Sequence, residues 1–235
     1  MTGTLYLIPT TIGSDSWETV IPPAVIAQTR SLKHFVVEDI RTTRRYLSKI
    51  GVLTPIDQID FQLLNEHTQQ KEIEMLLKPL LEGVDVGLLS EAGLPAVADP
   101  GSQLVAIANR KGIKVVPLTG PSSIFLTLMA SGLNGQNFAF VGYLPIKVDE
   151  RKKRIKQLEL RSKQEKQTQI FIETPYRNLH LFQDILKECN EETLLTLGVE
   201  LTTSAEFIAT KKIREWKNSI IPDINKKNCV FCLFA

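Results

Sequence analysis

Apolar and polar positions along this chain divide it into short strands and amphipathic helices that alternate. The apolar run Gly3 to Ile8 breaks into Pro9-Thr10-Thr11-Ile12-Gly13, the pattern of a strand followed by a loop. Pro23 to Thr29 predicts a helix. Phe35 to Val37 predicts a β-branched strand that ends in Glu38-Asp39, and Thr42 to Ile50 a helix with Gly51 just past it. Between Gln69 and Leu81, apolar residues at 73, 76, 77, 80 and 81 recur at the spacing of one helix face, which predicts one helix stopped by Gly83. Val86 to Leu89 predicts a strand, Ser102 to Lys111 a helix ended by Gly112, and Lys114 to Pro117 another strand. This alternation implies a mostly parallel sheet with helices on both faces.

Pro117 to Ser123 reads as a domain linker, with an N-terminal α/β domain over 1–117 and a C-terminal one over 118–235. Beyond it the pattern predicts helices over Ile124–Ser131, Asp149–Gln167 and Tyr176–Cys189. Strands are expected at Phe138–Gly142, Gln169–Ile172, Leu194–Val199, Phe207–Thr210 and Asn228–Phe234. The second half is therefore expected to be a mixed α/β domain with hairpin pairing near its end.

Composition narrows the class. In 235 residues, 43% hydrophobic and 23% charged content are ordinary for a globular protein, and a net charge of +2 diagnoses no partner. No apolar run approaches the roughly 18 residues that span a membrane. The N-terminus has no basic segment or cleavage site of a signal peptide, so a cytoplasmic protein is expected. Cys229 and Cys232 form a CxxC, but no second pair supplies the roughly four ligands of a zinc site, and the segment reads better as a buried terminal strand. No metal is expected.

The chemistry is expected in the loops that follow strands. Val86 to Gly101 runs from a strand into Ser90-Glu91-Ala92-Gly93-Leu94-Pro95, where small residues let a ligand approach the backbone. Asp99, before Pro100-Gly101, reads alternatively as a turn or N-cap residue. Gly120-Pro121-Ser122-Ser123 can cap a helix or bond a ligand carboxylate. Glu173-Thr174-Pro175-Tyr176-Arg177 and Glu200-Leu201-Thr202-Thr203 follow two later strands. Open α/β sheets bind ligands outside the carboxyl ends of their strands. No GxGxxG follows the first strand and no GxxxxGK[ST] occurs, which excludes the usual dinucleotide and nucleoside triphosphate sites.

In order, PTTIG, VEDIRTTRRYL, SEAGLPAVADPG, VVPLTGPSS, GYLPIK, ETPYRN and VELTT resemble the tetrapyrrole methylase superfamily of S-adenosylmethionine-dependent methyltransferases. The closer match is its branch that methylates a cytidine ribose 2′-oxygen in small-subunit ribosomal RNA. Two segments carry that finer likeness: Glu38-Asp39-Ile40-Arg41, and Phe138 to Arg151. The resemblance implies two α/β domains, a methyl-donor cleft between them, and a homodimer. It assigns the donor, S-adenosyl-L-methionine (leaving as S-adenosyl-L-homocysteine), to Ser90, Glu91, Ala92, Gly93, Pro121, Ser122, Ser123, Tyr176, Leu201 and Thr202. The chain departs from the family pattern at Thr11, Glu91, Leu94 and Thr203, and around Asn65-Glu66-His67.

A ribose hydroxyl would gain from a base or a hydrogen-bond acceptor; Glu38, Asp39 and His67 are the candidates, with Glu38 and Asp39 ranked first because they follow a strand. For each, the structural alternative is an acid at a helix N-terminus. Arg41, His67, Lys147 and Arg151 are the expected substrate contacts, with Arg41 alternatively pairing with Glu38 or Asp39. Lys147 to Lys166 carries nine basic against four acidic residues, and Arg41, Arg44 and Arg45 form a second cluster. Phosphate contact is the functional reading, and a solvated charged helix the plain one. The leading function is an RNA ribose methyltransferase. The alternatives are a methyltransferase for an acidic macrocycle, or a donor-binding paralogue without catalysis.

Overall fold

The computed structural model describes residues 2–14, 16–65 and 67–235. Glu66, within the Asn65–His67 segment, thus lies outside the described residues. The chain forms two compact units, Met1–Ser122 and Ser123–Ala235. The division falls a few residues beyond Pro117, because the chain leaving that strand still pairs with the first sheet: the Leu118 N–H donates to the Leu7 carbonyl (2.9 Å).

The first unit holds strands β1 (Thr4–Ile8), β2 (His34–Val37), β3 (Asp60–Leu63), β4 (Val86–Leu89) and β5 (Lys114–Pro117). Their order across the sheet is β3-β2-β4-β1-β5, and every pairing is parallel. Parallel neighbours need crossovers, supplied by α1 (Pro23–Ser31), α2 (Ile40–Ile50), α3 (Gln70–Met75), α4 (Lys78–Leu81) and α5 (Ser102–Arg110). Alternation along the strands sends Leu5, Val36, Val86 and Leu88 to one core with Ile73, Leu77, Leu80, Leu104 and Ile107. Ile8, Phe35, Val37 and Leu89 pack the opposite face against Val25, Ile26, Leu47 and Ile50. The central strands are covered on both faces, which accounts for their unbroken apolar runs.

The helix expected over 69–81 is two helices. Pro79 has no N–H to continue the ladder, and its ring would meet the carbonyl four residues back. The chain therefore turns at Leu76 and Leu77, where the Leu77 N–H donates to the Glu74 carbonyl (3.3 Å). Ile73, Leu76, Leu77 and Leu80 are buried as the periodicity requires, while Leu81 is half exposed.

The second unit has α6 (Ser123–Ser131), β6 (Phe138–Tyr143), α7 (Val148–Glu165), β7 (Thr168–Ile172), α8 (Asn178–Glu188), β8 (Leu194–Val199), β9 (Phe207–Lys212), α9 (Ile213–Lys217) and β10 (Cys229–Phe234). The sheet order is β6-β7-β10-β8-β9. Only β6 and β7 are parallel; β8 and β9 form an antiparallel hairpin, while the last strand, β10, pairs with β7 and β8 and not with β9. The helix expected from Tyr176 opens as a 3-10 turn, Pro175–Arg177, before α8. Strand β10 lies at the centre of the sheet, with Phe231 and Leu233 in one core and Val230 and Cys232 in the other. Cys229 packs with the first of these cores, so the two CxxC sulfurs belong to opposite faces of the sheet. Among the described residues, no helix is long and apolar enough to cross a membrane.

Candidate active site

In the first unit the loops leaving β1, β2, β4 and β5 converge. The Thr10 N–H donates to the Gly93 carbonyl (2.9 Å), tying the loop after β1 to the loop after β4. Tyr46 anchors the same corner, its hydroxyl donating to the Pro9 carbonyl (3.3 Å). Burial raises that phenol to about 12, so it stays a donor at neutral pH. Gly93 has φ +76°, and a Cβ there would sit 3.1 Å from Ile12 Cγ2 and 3.5 Å from the Pro121 carbonyl oxygen. Gly120 lies so close to Pro9 that a Cβ would come within 2.1 Å of its ring. These two glycines let three loops pack around one backbone cradle, with Glu91 and Ala92 exposed on its rim.

An acid cluster borders the cradle. Because β2 and β4 are neighbours, Glu38 lies beside the start of the loop after β4. One of its carboxylate oxygens accepts the Glu91 N–H (3.4 Å). Asp99 turns back onto the same place. Burial, with Glu38 and then Glu91 as like charges, raises its carboxyl to about 6. Two alanines flanking this turn, Ala96 (φ 65°) and Ala98 (φ 59°), occupy the left-handed region that side chains disfavour. The cap of α5 is Gly101, without a side-chain bond, so Asp99 is not the N-cap expected from its position. Sequence reasoning left it out of the site because D-P-G reads as turn punctuation; the signal was a second acid in the same loop as Glu91.

Asp39 has the structural role weighed against catalysis. It caps α2, accepting the Thr42 N–H (2.7 Å) and hydroxyl (3.0 Å). Those bonds, led by the backbone one, hold its carboxyl below its usual range. His67 is exposed beyond β3, its N–H bonded to the Asn65 side chain (2.9 Å). Arg41 is exposed on the first turn of α2.

In the second unit, Tyr176 sits 71% exposed on the 3-10 turn after β7. The turn is held from behind: Arg177 pairs with buried Glu173 (2.6 Å), and the Lys226 N–H donates to the Pro175 carbonyl (3.0 Å). After β8, Glu200 (φ 46°) and Thr202 (φ 67°) adopt left-handed backbone around buried Leu201. Glu200 fixes this loop by accepting the Asn228 N–H (2.6 Å), and Glu206 accepts the Thr202 N–H (2.7 Å). The Thr203 hydroxyl, where the family pattern has lysine, donates to the Glu200 carbonyl (2.7 Å). The Thr202 hydroxyl and one Glu173 carboxylate oxygen are buried without a hydrogen-bond partner.

The expected basic contacts divide. Arg151 is 5% exposed; it pairs with Asp184 (2.6 Å) and donates to the Ile146 carbonyl (2.8 Å). Its guanidinium therefore fastens the start of α7 to α8. Lys147 is exposed and pairs with Glu150 (3.2 Å). Lys152 and Lys156 both reach Glu188, and Arg161 reaches Glu165. Much of the charge on α7 is thus met within the fold.

Comparison with known proteins agrees with this architecture. The family profile described as Tetrapyrrole (Corrin/Porphyrin) Methylases matches residues 24–217. The chain is 34% identical over 223 residues to Ribosomal RNA small subunit methyltransferase I of Vibrio cholerae, covering 95% of this chain and 73% of that protein. To the protein of the same name from Haemophilus influenzae it is 31% identical, over 96% of this chain and 76% of that one. Among solved structures, the methyltransferase CobJ superimposes with a TM-score of 0.63 at 15% identity, over 100% of this chain and 94% of its own. The two sheets, the loops at their strand ends and these likenesses agree: the chain belongs to the tetrapyrrole methylase family and is a methyltransferase.

Proposed function

We propose that this chain transfers a methyl group from S-adenosylmethionine to a ribose 2′-oxygen of small-subunit ribosomal RNA, working in the cytoplasm as a homodimer. The observation that carries the reading is the likeness to the Vibrio cholerae ribosomal RNA methyltransferase across nearly the whole chain. The likeness to CobJ, at 15% identity, speaks for the fold alone.

The residues present fit the donor. Gly93 keeps the cradle open where a Cβ would close on Ile12 and Pro121. In the second unit, the Thr202 hydroxyl is a buried hydrogen-bonding group without a partner. Ser90, Glu91, Ala92, Gly93, Pro121 and Ser122 hold the donor from the first unit. Ser123, Tyr176, Leu201 and Thr202 belong to the same proposed set of donor contacts. The donor supplies a methyl group on a positively charged sulfur, which leaves as the neutral thioether of S-adenosylhomocysteine. The protein's task is then to orient the acceptor, exclude water and take a proton from the hydroxyl.

Glu38 and Asp99 suit that last task better than Asp39, whose carboxylate is occupied in capping. A carboxyl near 6 is ionised at neutral pH yet more basic than an ordinary one, the balance a general base needs. Arg41, His67 and Lys147 remain exposed for substrate. The test is transfer of labelled methyl from S-adenosylmethionine to purified small-subunit ribosomal RNA, set against a polycarboxylate porphyrin. Label in the RNA alone is the expected result. Label in the porphyrin, or donor binding without transfer to either, would replace this reading with one of the two alternatives.

A further inference from the structure

Helix α2 carries arginines at 41, 44 and 45, a spacing that places them on neighbouring exposed positions of its N-terminal half. Cations there gain nothing from the helix dipole, which favours them at the other end. Nor do they serve ion pairing: no salt bridge to Arg41, Arg44 or Arg45 exists among the described residues, in contrast to the paired cations of α7.

They line a cavity of about 560 Å³ together with Asp39, Ile40 and Leu63. Three guanidiniums thus face one carboxylate, and that carboxylate is already bonded to Thr42. The floor is apolar: Leu63, the last residue of β3, is 45% exposed. Arg44 is held over the Phe61 ring (5.4 Å to its centre), and Phe61 itself stacks on buried Phe35 (6.1 Å). That contact sets a guanidinium beside an aromatic face, a pairing that suits both an anion and a flat group. A free phosphate would need the charges but not the apolar floor or the stacked plane. The cavity also shares Asp39 with the turn that carries Glu38, whose carboxylate meets the loop after β4.

We infer that this cavity binds a single-stranded RNA segment beside the methylated nucleotide, its phosphates on Arg41, Arg44 and Arg45 and a base against Leu63 and the Arg44–Phe61 stack. The inference rests on the RNA reading above. Concave sites that combine arginine planes with apolar surface suit unstacked bases, whereas duplex RNA offers only its backbone and shallow groove. Arg44 and Arg45 then join Arg41 as substrate contacts, in place of the occupied Arg151.

The experiment measures fluorescence anisotropy of a labelled single-stranded oligoribonucleotide across a salt series. It compares the full chain with the Arg44→Gln/Arg45→Gln, Arg44→Lys and Leu63→Asp variants. The double variant should bind about tenfold more weakly, with a salt slope shallower by about 1.4. Arg44→Lys should keep the slope and lose affinity, because charge survives but the plane does not. Leu63→Asp, which leaves all three arginines intact, should also lose affinity. S-adenosylmethionine titration should give the wild-type constant throughout, which shows that the variants are folded. Wild-type affinity and slope in the double variant would overturn the inference while leaving the RNA reading intact. No salt-dependent binding by the wild-type chain would remove both. Full displacement of the oligonucleotide by millimolar inorganic phosphate, or loss of porphyrin rather than RNA binding in the variants, would also overturn it.

Discussion

Asp99 is the residue on which the proposed chemistry turns. Its folded carboxyl, at about 6, lies above the unfolded value of about 3.9. The fold therefore favours the protonated form, a contribution present in full below the unfolded value and lost as pH rises through about 6. Asp99→Asn should remove that dependence: its melting temperature should exceed that of wild type at pH 8 and converge with it near pH 4. Methyl transfer should rise through about pH 6 in the wild type, and the variant should lack this limb and most of the activity. Gly93 makes a second prediction. Gly93→Ala places a side chain at φ +76° against Ile12 and Pro121, costing about 1 kcal/mol of stability, and should weaken donor binding by titration calorimetry. The small residues of the loop after β4 pointed to a ligand site from sequence. Asp99 was not legible there, because its raised carboxyl comes first from burial and then from Glu38, distant in sequence and brought close only by the pairing of β2 with β4.

Among elements, the helices and strands that stood out in sequence were those with a full apolar face. The broken helix over 69–81 kept its period but not its continuity, since one proline decides whether a ladder can pass. β3 and α9 had no sequence signal: β3 is a four-residue edge strand of mixed polarity, and α9 is five residues, too short to show a period. Arg151 shows the limit of charge counting. It sits among basic residues, yet α8 supplies Asp184 across a sequence gap that no local pattern spans. Arg151→Ala leaves a half-buried carboxylate unpaired and should destabilise the second unit by about 3 kcal/mol in denaturant melts. Its RNA salt slope should match wild type, unlike that of the double arginine variant of α2.

At the scale of the molecule, one principle serves two different sheets. The first is wholly parallel and the second mixed, but in both the loops proposed to hold the donor leave the carboxyl ends of the strands. In the second sheet the last strand in the chain, β10, is central, so deleting 229–235 should abolish the cooperative unfolding of that unit, as seen by hydrogen exchange. The membership in the methylase family was legible because its motifs fall at the ends of seven strands, β1, β2 and β4 to β8. The acceptor was less so, because it is recognised by surfaces such as α2 that form only on folding. The most direct test of the account is nucleoside mass spectrometry of small-subunit ribosomal RNA after incubation with this chain and methyl-labelled S-adenosylmethionine. The account predicts label in a 2′-O-methylated nucleoside. Label on a base, or RNA left unlabelled by a chain that binds the donor, would contradict it.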